Sequence, residues 1–179
     1  TMAKGLGAGY QPIAAVMASE KVVDAILQGS GRLWNGHTYM SHAVATAGAL
    51  AVMREVEKRD LLAQVRRLGT KLEQGLRTRL GQHEHIGDIR GRGLFWSVEV
   101  VEDRATKKPF DVGLNMAGQI LNATKEAGVI CYPSQGCADG TAGDHVLLAP
   151  CFTSTDDEID LIVDVMATTI EKVTAAATS

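Results

Sequence analysis

Apolar residues recur every three or four positions in three long stretches of the chain, which is the spacing of a helix with one buried face. The clearest stretch carries leucine or valine at positions 61, 65, 68, 72, 76 and 80. An alanine-rich stretch begins at His42, and a third follows Thr155–Glu158, whose threonine and glutamate fit a capping box. The sequence therefore predicts three long helices, the last with the apolar face Ile159, Ile162, Val163, Met166 and Ile170.

Two shorter helices are predicted from the residues at their ends. Ser19 is a good N-cap for a helix that Gly29-Ser30-Gly31 then ends. Asp111 is placed to cap another helix, which is expected to end near Gly128. The stretch Trp34–Ser41, rich in hydrogen-bonding side chains, is predicted to be a loop.

Short apolar runs between glycines predict the strands. The run Tyr10–Ala18 is predicted to be a buried strand with Pro12 near its start, and Leu94–Val101 a strand after a glycine-rich turn. Two further strand candidates, residues 129–133 and 145–150, flank the glycine-rich loop "SQGCADGTAGD". Because helices and short strands interleave throughout, the predicted class is α/β or α+β.

A domain boundary is predicted where the alanine-rich helix gives way to the next structural unit. We place it between two segments, residues 1–57 and residues 58–179. Thr1 lies directly in a segment that looks structured, so we expect this chain to be part of a longer protein.

Composition and charge exclude several kinds of partner. A hydrophobic content of 45% with 22% charged residues is ordinary for a globular protein, and a net charge of −3 gives no reason to expect nucleic acid or an anionic membrane. No apolar run approaches the roughly 18 residues that span a bilayer. Cys131, Cys137 and Cys151 lack C-x-x-C spacing, which favours reduced thiols in a cytoplasmic protein. His83-Glu84-His85 has no second ligand cluster, so we expect no metal site.

Lys4 lies among glycines and small apolar residues in the segment "TMAKGLGAGYQPIAAVMAS". Glycines let the backbone pass close to a flat ligand and adopt positive φ. In general, a lysine amine becomes a nucleophile when its surroundings lower its pKa or when it is already condensed with a carbonyl. The spacing matches neither G-x-G-x-x-G nor the P-loop, so nucleotide binding is not indicated. Taken alone, Lys4 is either such a nucleophile or a solvated surface charge.

A second candidate site is the stretch "NGHTYMSHAV", residues 35–44. A hydroxyl-bearing loop that leads into a helix start offers Thr38 and free backbone N–H groups to an anion, favourably a phosphate. The simpler alternative is that Ser41 merely caps the following helix. The residues alone leave both interpretations open.

Four segments in order resemble the class III aminotransferases, pyridoxal-phosphate enzymes of fold type I, and more closely their amine:pyruvate (omega) transaminase branch. They are "KGLGAGYQPIAAV", "GHTYMSHAVATAGALAVM", "IRGRGLFWSVEVVEDRATKKPF" and "GDHVLLAPCFTSTDDEID". The resemblance covers nearly all 179 residues. It implies that residues 1–57 end the large cofactor-binding domain, that residues 58–179 form the small α+β C-terminal domain, and that the chain is the C-terminal part of a longer enzyme and inactive alone.

The resemblance also implies roles for two residues. Lys4 would hold pyridoxal 5′-phosphate as a Schiff base and then move a proton between the substrate Cα and the cofactor. Thr38 would bind the cofactor phosphate, typically that of the neighbouring subunit, which implies an obligate homodimer with active sites at the subunit interface. Tyr39-Met40-Ser41-His42-Ala43 departs from the family's usual sequence after the threonine, and Cys151 stands where a second proline is usual.

Substrate recognition is expected to differ from that of arginine-bearing relatives. Related transaminases often carry an arginine a few residues before the glycine-aspartate-histidine of the C-terminal domain, where it pairs with the substrate carboxylate. Here Gly140 stands four residues before Asp144, and the loop has no arginine. Arg92 is the nearest candidate replacement, with a purely structural role in the Arg90–Gly93 turn as the alternative.

The expected reaction is therefore transfer of an amino group from an amine or ω-amino acid to an oxo-acid such as pyruvate. The same lysine and phosphate motifs would serve an aminomutase or a decarboxylase on this scaffold. A non-catalytic fragment that keeps only the helical packing is the third alternative.

Overall fold

A computed structural model describes residues 1–178 of the chain. The chain divides into two compact units, residues 1–61 and residues 62 onward. The division falls four residues after the predicted boundary, close to the short break between one helix that ends at Lys58 and the next, which begins at Leu61. The roles assigned to the two segments as domains of a larger enzyme stay a prediction.

The first unit contains a 3₁₀ turn and two helices, α1 (Glu20–Gln28) and α2 (Ala43–Lys58). Both helices were predicted, and Ser19 does precede α1 as its N-cap residue, although its side chain accepts no capping hydrogen bond. The buried strand predicted at Tyr10–Ala18 is wrong: this stretch is irregular, and Ala15 makes only an isolated bridge to Met2. Pro12 has no N–H to donate, and within the described residues no strand lies beside this run to pair with it.

The first unit buries very little of its own apolar surface. Within residues 1–60, only Gly7, Ala45 and Ala49 are buried. Large apolar side chains along α1 and the loops are exposed instead, among them Val16, Met17, Leu27, Leu33, Trp34, Tyr39 and Met40. Large apolar side chains exposed in this number are more typical of a surface that packs against another chain or domain than of a free domain face.

The second unit packs three helices against a four-stranded antiparallel sheet. The helices are α3 (Leu61–Leu80), α4 (Met116–Glu126) and α5 (Asp156–Ala177). The strands are β1 (Ile86–Arg92), β2 (Phe95–Val100), β3 (Tyr132–Gln135) and β4 (Asp144–Leu148), in the order β1-β2-β4-β3. Strands and helices share one core, which includes Leu68, Leu72, Leu76, Leu80, Trp96, Val98, Val100, Ile120, Val146, Leu148, Ile159, Met166 and Ile170.

The predicted α3 and α5 are confirmed with their apolar faces. The predicted capping box of α5 is present, because Thr155 Oγ1 accepts from the Glu158 N–H and the Glu158 carboxylate accepts from the Thr155 N–H. The cap predicted for α4 is wrong. Asp111 caps a short 3₁₀ turn, and Asn115, which follows that turn with φ of 47°, accepts from Gly118 N at the start of α4.

The strand predictions are correct for β2 and β4 and incomplete for the other two. The stretch before β2 that was expected to be a glycine-rich turn is largely strand β1. The pairing of β1 with β2 changes register between Ile86 and Asp88. That irregularity breaks the alternation of apolar and polar residues from which strands are predicted. The strand expected at residues 129–133 starts only at Tyr132 and continues to Gln135.

Candidate active site

Lys4 begins a 3₁₀ turn that contacts α2 within the first unit. The turn is followed by Gly7, which is buried, and a Cβ at this position would lie 2.5 Å from the carbonyl oxygen of Gln11. The side chain of Gln11 in turn lies against Gly48 of α2, where a Cβ would approach it to 2.9 Å. The small residues around Lys4 therefore allow the turn to lie close against its neighbours.

The side chain of Lys4 is accessible in the described part of the chain. Lys4 is exposed, and its side chain makes no hydrogen bond or ion pair within residues 1–178. Its backbone φ is 52°, a left-handed conformation that costs a non-glycine residue about 1–3 kcal/mol and is frequently found at functional sites. A strained turn that presents an unpaired amine is compatible with a nucleophile.

Thr38 lies in the loop before α2, as predicted. His37 organises this loop: its carbonyl accepts from Met40 N at 3.0 Å, and its Nδ1 accepts from Tyr39 N at 3.2 Å. The hydroxyl of Thr38 is exposed and has no hydrogen-bond partner in the described part of the chain. The simpler alternative, Ser41 as the helix cap, is wrong, because His42 is the N-cap and its Nδ1 accepts from Ala45 N at 3.3 Å.

Arg92 is the last residue of β1 and lies in the second unit. It is opposite Phe95 across a tight β1–β2 hairpin, in which Gly93 has φ of 59° and its carbonyl accepts from Trp96 Nε1 at 2.7 Å. Arg92 is exposed and forms no ion pair with any described residue. Its placement on an exposed hairpin supplies no positive indication of substrate binding.

The loop between β3 and β4 is shaped by glycines and by Asp139. Gly136, Gly140 and Gly143 all have positive φ, and Asp139 Oδ1 accepts from Thr141 N at 2.8 Å and from Ala142 N at 2.7 Å. These backbone hydrogen bonds, that of Ala142 above all, lower the pKa of Asp139. The loop is therefore a tight turn without a basic side chain.

Asp144, which follows that loop, was not predicted to have a role in packing. Its side chain is 1% exposed, and Oδ1 accepts from Ala117 N at 3.0 Å, in the first turn of α4. Burial raises the pKa of Asp144, while the hydrogen bond from Ala117 opposes the shift. Asp144 thus ties the end of the loop to the start of a helix.

The second unit also has a cavity of about 350 Å³ on the face of the sheet opposite the core. It is lined by Arg90, Gly91, Phe95, Ser97, His145 and Leu147, and we call it the sheet cavity. Three strands contribute these residues, and the sequence contained no motif that linked them. Only the strand register brings them together.

Comparison with known proteins decides the family. The family model described as Aminotransferase class-III matches residues 1–170. The chain belongs to the class III aminotransferases. The predicted α/β fold of type I is confirmed by the same comparison and by similarity to solved transaminase structures.

Three aminotransferases illustrate the similarity. An aminotransferase of Gibberella zeae is 40% identical over 164 residues, which are 91% of this chain and 32% of that protein. The taurine--pyruvate aminotransferase of Bilophila wadsworthia is 32% identical, covering 96% of this chain and 39% of that protein. A PLP-bound aminotransferase mutant from Vibrio fluvialis has a TM-score of 0.85 at 30% identity, covering 98% of this chain and 38% of that one. The chain therefore spans about a third to two fifths of the length of the proteins it matches.

Three other observations bear on the sequence predictions. In residues 1–178, no helix is both long enough and apolar enough to span a membrane. Cys131, Cys137 and Cys151 are all free thiols. His85 of the His83-Glu84-His85 stretch is buried, and its Nδ1 lies 2.9 Å from the carbonyl oxygen of Glu102, so this histidine contributes to packing.

Proposed function

We propose that this chain carries the catalytic lysine of a pyridoxal-phosphate-dependent transaminase, and that the lysine is Lys4. The observation that supports this most strongly is an exposed lysine on a left-handed turn, without a partner among the described residues, in a chain of the class III aminotransferase family. The proposed reaction transfers an amino group from an amine or ω-amino acid to an oxo-acid such as pyruvate.

Lys4 is the residue of this chain that would hold the cofactor covalently, and its surroundings fit that role. Lys4 Nζ would hold the cofactor by condensing with its aldehyde group with loss of water, and once released it would move a proton between the substrate Cα and the cofactor C4′. The side chain of Lys4 is exposed and has no partner within residues 1–178, so it is accessible to the cofactor. When bound, pyridoxal phosphate supplies the electron sink that stabilises negative charge at the substrate Cα.

Thr38 is proposed to bind the cofactor phosphate across the interface of a homodimer. Its hydroxyl has no hydrogen-bond partner within residues 1–178, and large exposed apolar residues lie on both sides of it along the chain. Trp34, Tyr39 and Met40 are 73%, 75% and 55% exposed, which is unusual for such large side chains and typical of a surface that another chain covers. The three free cysteines support a reducing, cytoplasmic location for this dimer.

Replacement of Thr38 by valine is expected to weaken cofactor binding by about 1–3 kcal/mol, because one phosphate oxygen loses a donor. The isosteric valine keeps the volume of the side chain, so the loop conformation is retained. The dissociation constant can be measured by titrating the purified full-length protein with the cofactor and following its absorbance. Thr46→Val is the control, since Thr46 bonds only to backbone carbonyls of its own helix turn. Equal cofactor affinity for Thr38→Val and the unchanged protein would contradict the phosphate assignment.

The acceptor is proposed to be a monocarboxylic oxo-acid. The loop that ends at Asp144 has no arginine, and Gly140 has φ of 94°, a conformation in which an arginine side chain would be strained. A bidentate guanidinium–carboxylate pair from this loop is therefore missing.

Steady-state kinetics of the full-length protein test this proposal directly. With an amine donor, pyruvate is expected to give alanine with a higher kcat/KM than 2-oxoglutarate or succinic semialdehyde gives its own amino product. Formation of the amino product of the acceptor also separates transamination from decarboxylation and from an aminomutase reaction, which need no oxo-acid. A strong and exclusive preference for 2-oxoglutarate would contradict the proposed acceptor, because its second carboxylate needs a dedicated cationic partner.

A further inference from the structure

The turn that carries Lys4 is held together by backbone hydrogen bonds. Met2 and Ala15 exchange two of them, each 2.8 Å long, which close the base of the segment. Inside the segment, Gly7 N donates to the Lys4 carbonyl oxygen at 3.2 Å, and Tyr10 N donates to the Gly7 carbonyl oxygen at 2.8 Å. Gly7 takes part in both of these inner bonds, so its position and that of Lys4 are linked.

Gly7 is required for space rather than for its backbone conformation. Its φ is −103°, a value that any residue can adopt. A Cβ at this position, however, would lie 2.5 Å from the carbonyl oxygen of Gln11 and 2.9 Å from Cγ2 of Ile13, closer than real side chains approach. The backbone of Gln11 therefore lies directly against the Lys4 turn.

The side chain of Gln11 contacts α2 at a second glycine. A Cβ at Gly48 would lie 2.9 Å from Cγ and 3.5 Å from Cβ of Gln11. Glycine is the least favourable residue except proline inside a helix, so a glycine within the alanine-rich α2 is explained by the space that Gln11 needs. Ala45 and Ala49, the buried residues of α2, lie on the same face of the helix as Gly48.

We infer that Gln11 is a positioning residue for Lys4. Its backbone supports the turn at Gly7, its side chain occupies the space left by Gly48, and together the two contacts set the distance between the Lys4 turn and α2. The inference rests on the proposed role of Lys4 as the catalytic lysine. A proton-transfer group has to lie within hydrogen-bond reach of the atom it serves, and a misplacement of about 1 Å can lower the rate by about 10²-fold. A small shift of Gln11 is therefore expected to matter.

Gly48→Ala in the full-length protein tests the inference. The added Cβ has to move away from Gln11 Cγ by at least about 0.6 Å to reach the roughly 3.5–4.0 Å at which carbon atoms pack. In the cofactor-free protein, amide hydrogen exchange of residues 3–11, measured by mass spectrometry, is expected to become at least about fivefold faster. This measurement does not depend on the reaction or on the cofactor.

The same variant is expected to hold the cofactor covalently less often. Borohydride reduction followed by peptide mass spectrometry gives the fraction of bound cofactor that is attached to Lys4, and this fraction should fall at least about threefold. In steady-state kinetics, kcat should fall at least about tenfold while KM for the amine donor stays within about twofold. A general loss of folded protein would lower the amount of active enzyme without changing the covalent fraction in the folded part.

Gln11→Ala combined with Gly48→Ala is the rescue variant. It removes Cγ of residue 11 and leaves its Cβ at 3.5 Å from the new Cβ, an ordinary packing distance. The double variant should therefore be closer to the unchanged protein than Gly48→Ala is, in both hydrogen exchange and covalent fraction, as expected for residues in direct contact. Ala47→Ser is the matched control, because it adds one atom to the neighbouring, exposed position of α2 and should change both quantities less than about twofold.

Two results would overturn the inference. One is unchanged hydrogen exchange of residues 3–11 in Gly48→Ala, and the other is an equal effect of Gly48→Ala with and without Gln11→Ala. If Gly48→Ala does not fold, Gln11→Ala alone decides, since it cannot clash and should still accelerate exchange in residues 3–11 by removing the contact. A lack of cofactor on Lys4 in the unchanged protein would contradict the proposed function instead, while the exchange data would still show whether Gln11 holds the turn.

Discussion

Replacement of Lys4 by alanine in the full-length protein is expected to lower the rate of transamination at least about 10²–10⁴-fold, since that is the usual contribution of a positioned proton-transfer group. The variant loses the amine that would hold the cofactor and the base that would move the substrate proton. The measurement is the rate of alanine formation from an amine donor and pyruvate. Gel filtration followed by an absorbance spectrum should show that covalently held cofactor is lost, while some non-covalent binding remains.

Lys21→Ala is the matched control for Lys4→Ala. Lys21 is an exposed lysine of the same unit, at the start of α1, and it makes no ion pair with a described residue. Its replacement removes the same charge from the same unit and should leave the rate within about twofold. Turnover by Lys4→Ala at close to the unchanged rate, without an added amine to replace the missing one, would exclude Lys4 as the catalytic lysine.

The helices could be predicted from the sequence because each is defined by local signals. The leucine repeat of α3 and the capping box of α5 are both encoded within a few neighbouring residues, and both are present in the structure. The prediction of the α4 cap was wrong for a related reason. Asp111 and Asn115 are both good caps four residues apart, and the chain uses one for a 3₁₀ turn and the other for the helix. Local signals alone do not rank two caps placed so close together.

The strands depend on partners that the sequence does not identify. The run Tyr10–Ala18 has the composition of a strand but no neighbour, so its backbone stays irregular. Strand β1 has the opposite character, since its glycines and arginines resemble a turn, yet pairing with β2 along its length makes it a strand. Strand propensity reflects packing against neighbours more than a preference of the backbone, which explains both errors.

The candidate site was predictable to a different degree in each unit. Lys4 and Thr38 lie in short contiguous motifs, so their positions could be identified from the sequence, although their roles remain proposals. Arg90, Ser97 and His145 belong to three different strands, and only the antiparallel register places them at one cavity. A signal was available in principle, because polar residues alternate with apolar ones along β2 and mark a face that does not join the core.

Replacement of Leu72 by alanine is expected to destabilise the second unit by about 2–5 kcal/mol, the range for removing a buried leucine side chain. Leu72 is in the middle of α3, is fully buried, and belongs to the core that the three helices share with the sheet. The decrease in the free energy of unfolding has two parts. One is the hydrophobic free energy that the deleted methyl and methylene groups gained by leaving water, and the other is the cost of the cavity left among their neighbours. Because a single small domain is stabilised by only about 5–15 kcal/mol, this is a large fraction of the total.

Leu161→Ala provides the control for Leu72→Ala, since Leu161 is a helical leucine of α5 that is 51% exposed. Both substitutions cause the same small change in helix propensity. The difference between their free energies of unfolding therefore reports the effect of burying the leucine side chain. Urea unfolding of the full chain, followed by far-UV circular dichroism, should show a clear decrease in the midpoint for Leu72→Ala and a change below about 1 kcal/mol in the free energy of unfolding for Leu161→Ala. If the two variants unfolded at the same urea concentration, the helix α3 would not contribute its leucine face to the core of the second unit.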